Sequence, residues 1–493
     1  MRPGIAAFFD KGCDRTFQRK HEASEMKYVS TRGEAPVLGF SDALLSGLAR
    51  DGGLYLPEQF PQFSPAEIRS MRGKSYAEVA IEVLTPFVTG DLDQADFEEM
   101  VHEAYGTFRH EAVCPLVQTG HNEFVLELFH GPTLAFKDVA MQLLARLMDR
   151  ILSERNERAT IVGATSGDTG GAAIEAFANR DRTDIFILFP HNRVSQVQQR
   201  QMTTSAAANV HALAIDGNFD DCQSLVKGMF NDLVFRDSLS LSGVNSINWA
   251  RIMPQIVYYF TAAVSLGSPE RPISFTVPTG NFGDIFAGYV AKRMGLPIDR
   301  LVIATNDNDI LSRTIETGIY ETRGVLHTTS PSMDIQVSSN FERLLFEAHG
   351  RDAAAVRRLM SGLNQSGSFT IADTVLAAIR AEFDAGSSTT AETDQAIANV
   401  LKQSGYLLDP HSAIGLKIAR EKAGKETPSV VLATAHPAKF PDAVEAASGI
   451  RPALPLWLGD LMQRKEQYTV LPNDLKSVEE YVRRHSRAAG KEH

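Results

Sequence analysis

A lysine stands in the first turn of an apolar helix in the segment HGPTLAFKDVAMQLL, His130 to Leu144. The helix dipole is positive at that end and opposes an ammonium, whereas a solvated lysine is expected near a C-terminus. Lys137 therefore sits where a neutral amine, able to act as nucleophile or base, is favoured over a cation. Two further stretches are suited to anions. In PTGNFGDI, Pro278 to Ile285, small residues follow an apolar strand and precede a helix, so backbone N–H groups and the helix dipole can hold a phosphate. In GATSGDTGG, Gly163 to Gly171, the hydroxyls of Thr165, Ser166 and Thr169 and the close approach allowed by glycine suit a small carboxylate. Asp168 is the odd member of that turn: it either hydrogen-bonds a phenol-like oxygen or only shapes the loop.

Each stretch alone has a plain structural alternative: a snorkelling lysine, an ordinary Gly/Asn turn, an N-cap cluster. Together, a neutral-leaning lysine, a phosphate cradle and a carboxylate loop describe a pyridoxal phosphate site. There the lysine forms a Schiff base with the cofactor aldehyde and the cofactor serves as electron sink. A nucleotide is the competing ligand for the phosphate turn. Neither GxxxxGK[ST] nor a clear GxGxxG opens a helix here, so that reading lacks its main support.

The elements that carry these turns repeat one unit. ATIVGATSGDTGGAAIEAFANR, followed by the strand DIFILFP, reads as strand, turn, helix, strand; VHALAIDGNFDDCQSLVKGMFNDL, ISFTVPTGNFGDIFAGYVAKRMG and SVVLATAHPAKFPDAVEAA repeat the pattern. Strands alternating with helices predict mainly parallel sheets with right-handed crossovers and ligands on the rim where the strands end. The lysine helix follows the i, i+3, i+4 rule through Phe136, Val139, Ala140, Leu143, Leu144, Leu147, Met148, Ile151 and Leu152, with Lys137 off that stripe. Earlier helices are expected in SDALLSGLARDGG, capped by Ser41 and ended by Gly52–Gly53, and in SPAEIRSMRGKSYAEVAIEVLTPFV. Between the third and fourth units, around residues 340–410, lies a helical elaboration in which Thr389 and Glu392 have capping-box spacing and DAGSSTTAET reads as a polar surface connector. The expected organisation is a tail or over-extended start over 1–25, an N-terminal domain over 26–108, a catalytic region of two lobes over 109–450, and a loop-and-helix segment over 451–493 that docks on the body.

Composition narrows the function. The chain has 493 residues, with 49 Lys+Arg against 60 Asp+Glu, a formal charge of −11 and no basic block, which argues against nucleic acid or an anionic membrane as partner. No uninterrupted apolar stretch approaches bilayer-spanning length. Cys13, Cys114 and Cys222 are odd in number and lack CxxC spacing, so neither a disulfide framework nor a metal site is expected, and a reducing, cytoplasmic setting fits.

From Met26 onward the chain resembles threonine synthases of the bacterial and fungal branch. The resemblance runs through MKYVSTRGEAPVLGFSDALLSGLARDGGLYLPE, FHGPTLAFKDVA, GATSGDTGGAA, NSINWARIMPQIVYYF, VPTGNFGDIFAGY, SPSMDIQVSSNFERLLFE, DPHSAIG and TAHPAKF. It implies the tryptophan-synthase-like, fold type II architecture of pyridoxal phosphate enzymes: α/β, with two open parallel-sheet lobes, an N-terminal domain and a helical insertion. It implies Lys137 as the Schiff-base lysine; Gly280, Asn281, Phe282 and Asp284 around the cofactor phosphate, the first three mainly through backbone groups; and Thr434 facing the pyridine nitrogen. The implied reaction converts O-phospho-L-homoserine and water to L-threonine and phosphate. Arg193, Ser195, Asn245 and Arg251 are then candidates for the substrate phosphate, and Thr165, Ser166, Asp168 and Thr169 for the rest of the substrate. The implied protein is a monomer or homodimer with a small-molecule substrate. A serine/threonine dehydratase-like lyase is the alternative that would use the same lysine.

Overall fold

The computed structural model describes residues 25–490 apart from 423 and 425. The reading of residues 1–25 as a tail, with Cys13, lies outside the described residues but for Glu25. Two sheets organise the rest. One runs parallel throughout, in the order Thr469–Pro472, Val210–Asp216, Thr183–Pro190, Ala159–Ala164, Leu241–Ser242. The other has the order Phe383–Ser387, Ile298–Thr305, Ile273–Pro278, Ser429–Ala433, Glu123–Glu127, Leu116–Gly120 and is parallel except for its last pair. Thr183–Pro190 and Ile273–Pro278 are buried at every position, which is why they read as unbroken apolar runs rather than as alternation.

All four expected strand–turn–helix units form: helices Asp168–Phe177, Phe219–Asn231, Gly283–Arg293 and Pro441–Ser448 each follow the strand named for them. Three expectations are corrected. The polar connector DAGSSTTAET, which follows Phe383, is in part the edge strand Phe383–Ser387, paired with Ile298–Thr305; a Cβ on Gly386 would lie 3.0 Å from Ile418 Cδ1, so small residues fit there because a helix packs on them. The C-terminal segment adds a strand, Thr469–Pro472, at the edge beside Val210–Asp216, where a terminal proline costs no ladder bond. The first helix is Phe40–Ser46, not a helix capped by Ser41: the Asp91 carboxylate, 50 residues away in sequence, accepts from Phe40 N–H at 2.7 Å and from Ser41 N–H at 3.2 Å. That tertiary carboxylate does the work of a local cap.

SPAEIRSMRGKSYAEVAIEVLTPFV is two helices, Pro65–Ser70 and Tyr76–Val88, each opened by a capping box, Ser64 with Glu67 and Ser75 with Glu78. Residues 26–108 share one hydrophobic core with the catalytic region. Tyr28 and Phe87 pack against Trp249, with ring centroids 6.3 and 5.7 Å away, and the fully buried Arg343 guanidinium donates to Tyr55 O and Ile247 O, both at 2.6 Å. Arg343 also binds Asn340 Oδ1, which carries this buttress into the site.

Candidate active site

The ends of strands from both sheets meet at Lys137. The larger sheet delivers the turn after Ile273–Pro278, and Thr434, His436 and Lys439 after Ser429–Ala433; the smaller sheet delivers Thr165 to Thr169 after Ala159–Ala164. Lys137 opens the helix Lys137–Glu154 and is held from behind by an antiparallel bridge between Ala135 and Ala435, in which Phe136 N–H donates to Thr434 O at 2.9 Å. Although off the apolar stripe, Lys137 is buried, because other parts of the chain cover the helix start. Its Nζ lies 3.5 Å from Ser332 Oγ and 3.5 Å from Asp168 Oδ2.

Burial pushes the Lys137 amine below its usual pKa; Asp168 opposes that, and the charges of Lys439 and Arg251 push it further down. Asp168 goes the other way. Burial alone would raise its pKa, but Lys439 and then Lys137 beside it hold the carboxyl far below the usual carboxylate range. Arg251 is buried, its Nη1 donates to Val244 O at 2.8 Å, its Nε has no partner among the described residues, and desolvation brings its pKa down to about 10. Among the described residues no carboxylate makes an ion pair with it, and its charge adds to that of Lys439 in pushing the Lys137 amine toward the neutral form.

The phosphate cradle is built as its residues require. Phe282 adopts φ +64, unusual for a side chain of its size, and is held there by edge-on packing against Phe341 at 5.3 Å between centroids. Gly280 has Ser332 O where a Cβ would stand, at 2.7 Å. Ser338 Oγ donates to Gly280 O at 2.6 Å, and Asn340 donates to Asn281 O from Nδ2 at 2.8 Å and from N–H at 3.1 Å. The carbonyls of the turn are thus bound, yet among the described residues nothing accepts from the N–H groups of residues 280–285. Six unmet amide donors at the N-terminus of Gly283–Arg293 fit a phosphate.

Asp284 offers that cradle its N–H rather than its carboxylate. Its buried Oδ1 accepts from Tyr258 and, at 3.0 Å, from Tyr259, while Oδ2 has no partner among the described residues. Desolvation, against the two tyrosine hydrogen bonds and Lys137, lifts its pKa from 3.8 to about 7. Because the folded form holds its proton more tightly, the stability contributed at low pH is lost as pH rises from about 4 to about 7, by roughly 4 kcal/mol. Urea titrations of the apoprotein across that range are expected to show a smaller decline for Asp284→Asn than for wild type; equal slopes would mean that the carboxyl is already ionised.

The remaining candidates fall into two groups. Thr434 is buried, its N–H held by Ser412 Oγ at 3.2 Å and its hydroxyl without a described partner. Thr165 Oγ1 accepts from the N–H groups of Gly167 and Gly170, both at 2.9 Å, and so shapes its loop, whereas the part-exposed Ser166 and Thr169 hydroxyls have no described partner. Ser195 caps the helix Gln196–Thr203 through Gln198 N–H and reaches Lys439 O at 3.3 Å. Arg193 and Asn245 have exposed side chains that no contact ties to Lys137.

Sequence reading passed over Ser332, Gln198, Lys439, His411 and Asp409. Gln198 Nε2 donates to Asp168 Oδ1 at 2.9 Å, and the buried Asp409–His411 pair, 2.7 Å apart, presents Nε2 to Ser332 N–H at 3.3 Å. Four of the five stand in SPSMDI, DPHSAIG and TAHPAKF, segments already singled out; Asp409 and His411 pair locally, two residues apart, but no local pattern ties any of the five to Asp168 or Lys137.

Comparison with known proteins bears on this arrangement. Three family models match: Threonine synthase N terminus over residues 27–105, Pyridoxal-phosphate dependent enzyme over 114–358, and Threonine synthase, C-terminal over 412–482. A threonine synthase of Pseudomonas aeruginosa is 55% identical over 93% of this chain and 98% of its own length. The crystal structure of a PLP-bound threonine synthase from Brucella melitensis superposes with a TM-score of 0.93 at 77% identity, covering 94% of this chain and 100% of that one. The yeast threonine synthase structure gives 0.89 at 38% identity, covering 94% and 99%.

Proposed function

The chain belongs to the threonine synthase family, and from that premise we propose how its residues divide the work. It is a pyridoxal phosphate lyase that turns O-phospho-L-homoserine and water into L-threonine and phosphate. When bound, the cofactor supplies an electron sink for carbanions formed on the substrate. The N–H groups of residues 280–285 hold its phosphate and Lys137 its aldehyde. Thr434 offers the pyridine nitrogen a neutral hydroxyl, which does not hold a proton on the ring as a carboxylate would, and so favours elimination and replacement over transamination. Asp168 offers Oδ2 to the ring hydroxyl.

Ser166 and Thr169, with the amides at the start of Asp168–Phe177, bind the substrate carboxylate. Arg251 binds the substrate phosphate from within; Arg193, Ser195 and Asn245 complete that contact from the rim when their segments close. Lys137, displaced by the substrate amine, takes the α-proton as general base, a second proton leaves the β-carbon, and phosphate departs from the γ-carbon against Arg251. One proton is returned to the γ-carbon, which becomes the methyl group; water then adds its hydroxyl at the β-carbon and gives its proton to the released phosphate, and Lys137 returns the other proton to the α-carbon.

The observation that carries this assignment is Arg251: a buried guanidinium with an unmet Nε and no described carboxylate partner, charged closely enough to Lys137 to depress its pKa. A dehydratase acting on serine or threonine has no anionic leaving group for it. The expected result with pyridoxal phosphate present is threonine and phosphate in equal amounts from O-phospho-L-homoserine, and no ammonia from L-serine or L-threonine. Ammonia from either hydroxyamino acid, or phosphate without threonine, would overturn the assignment. The described cysteines, Cys114 and Cys222, are free and buried, which supports the proposal of an enzyme working in the reducing cytoplasm.

A further inference from the structure

Asp168 lies between two buried lysines and divides its oxygens between them. Oδ1 lies 3.0 Å from Lys439 Nζ in an ion pair and accepts from Gln198 at 2.9 Å; Oδ2 faces Lys137 Nζ at 3.5 Å and the Ser332 hydroxyl at 3.3 Å. The Lys439 side chain is 0% exposed; beside its ion pair with Asp168 its ammonium donates to Thr133 O at 2.6 Å and to Gln201 Oε1 at 2.9 Å, which fixes it in place. At these separations, away from water, each charge strongly affects the next.

We propose that Lys439 is the fixed counter-charge of Asp168, so that Lys137 works beside a pair of nearly zero net charge. The idea rests on Lys137 being the reacting amine. Without Lys439, the aspartate would have only Lys137 to neutralise it and would hold that amine as an ammonium. Without Asp168, Lys439 would remain as a bare cation near Lys137 and would drive it toward the neutral form. Lys439 is then a positioning residue that acts through Asp168, touching neither substrate nor cofactor. The alternative is a strut: Lys439 would only tie Thr133 O to Gln201.

The other groups that face this cluster are Arg251, Asp284 and His411, with the Ser332 hydroxyl. They are common to every protein in a cycle of wild type, Lys439→Met, Asp168→Asn and the double variant, so their influence cancels. Only deprotonated Lys137 captures pyridoxal phosphate, and capture by the full-length apoprotein can be followed by absorbance as a function of pH. The capture midpoint is expected to rise by at least about one pH unit in Lys439→Met, a tenfold change in the neutral fraction, and to fall in Asp168→Asn. The double variant should return to within about half a unit of wild type and turn over at least about tenfold faster than Lys439→Met. Midpoints that move in the same direction, or do not move while only the melting temperature falls, would overturn the proposal in favour of the strut. Should Lys439→Met not fold, Asp168→Asn and the double variant still decide, since failure of the second substitution to restore the midpoint contradicts the counter-charge. Absence of Lys137-dependent capture in wild type would instead refute the underlying assignment of Lys137.

Discussion

Lys137→Ala is expected to lower threonine formation by at least about 10⁴-fold while leaving the fold intact. Its amine carries two duties in this account, covalent hold on the cofactor and proton transfer at the α-carbon, and proton transfer alone is worth about 10²–10⁴-fold. Stability should not fall with activity. Lys137 is desolvated, burial depresses its pKa, and it lies 3.5 Å from Asp168, whereas Lys439 at 3.0 Å already pairs that carboxylate. Removing the amine therefore strands no charge, and the melting temperature of the apoprotein is expected to stay level or rise. A variant that loses activity because it unfolds would show a lowered melting temperature. That outcome would make Lys137 a structural residue.

Arg251→Met should likewise separate activity from stability. Breaking a buried ion pair usually destabilises because it leaves a partner unpaired, but Arg251 has no described carboxylate to strand. The protein holds a desolvated guanidinium with an unmet Nε, a cost to folding that only an anionic ligand repays. Methionine of similar length removes that cost, so the apoprotein is expected to melt at a higher temperature. Catalysis should suffer by about 10²–10³-fold in kcat, the usual loss when a donor to developing charge is removed, with no recovery at saturating O-phospho-L-homoserine. A rise in KM with kcat unchanged would mean that Arg251 only binds ground-state phosphate. Loss of stability would mean that its hydrogen bond to Val244 O matters more than its desolvation.

What could be read from sequence follows how local each cause is. The strand–turn–helix units were legible because buried parallel strands are unbroken apolar runs, as in DIFILFP, and because turns after them need the small residues of TGNFGD and TSGDTG. Thr389 and Glu392 were legible as a capping box because both partners lie within one turn. Phe40–Ser46 was misread because its cap comes from Asp91, and Phe383–Ser387 because its ladder is supplied by Ile298–Thr305 rather than by its own composition. The same division holds at the site. Lys137 is conspicuous within its own helix, and the family resemblance pointed to Arg251. Lys439, Ser332 and His411 acquire meaning only from folding, which brings three distant segments onto Asp168 and Lys137. The orphan Nε of Arg251 could not be foreseen either, since an arginine near a helix start is ordinarily a surface residue.

The central claim is that Lys137, and not the second buried lysine beside Asp168, is the amine that holds the cofactor. Borohydride reduction of the enzyme loaded with pyridoxal phosphate, followed by proteolysis and mass spectrometry, tests it most directly. The account predicts the reduced phosphopyridoxyl group on the peptide containing Lys137 alone, and no label in Lys137→Ala. Label on Lys439, or label that survives the loss of Lys137, would contradict it.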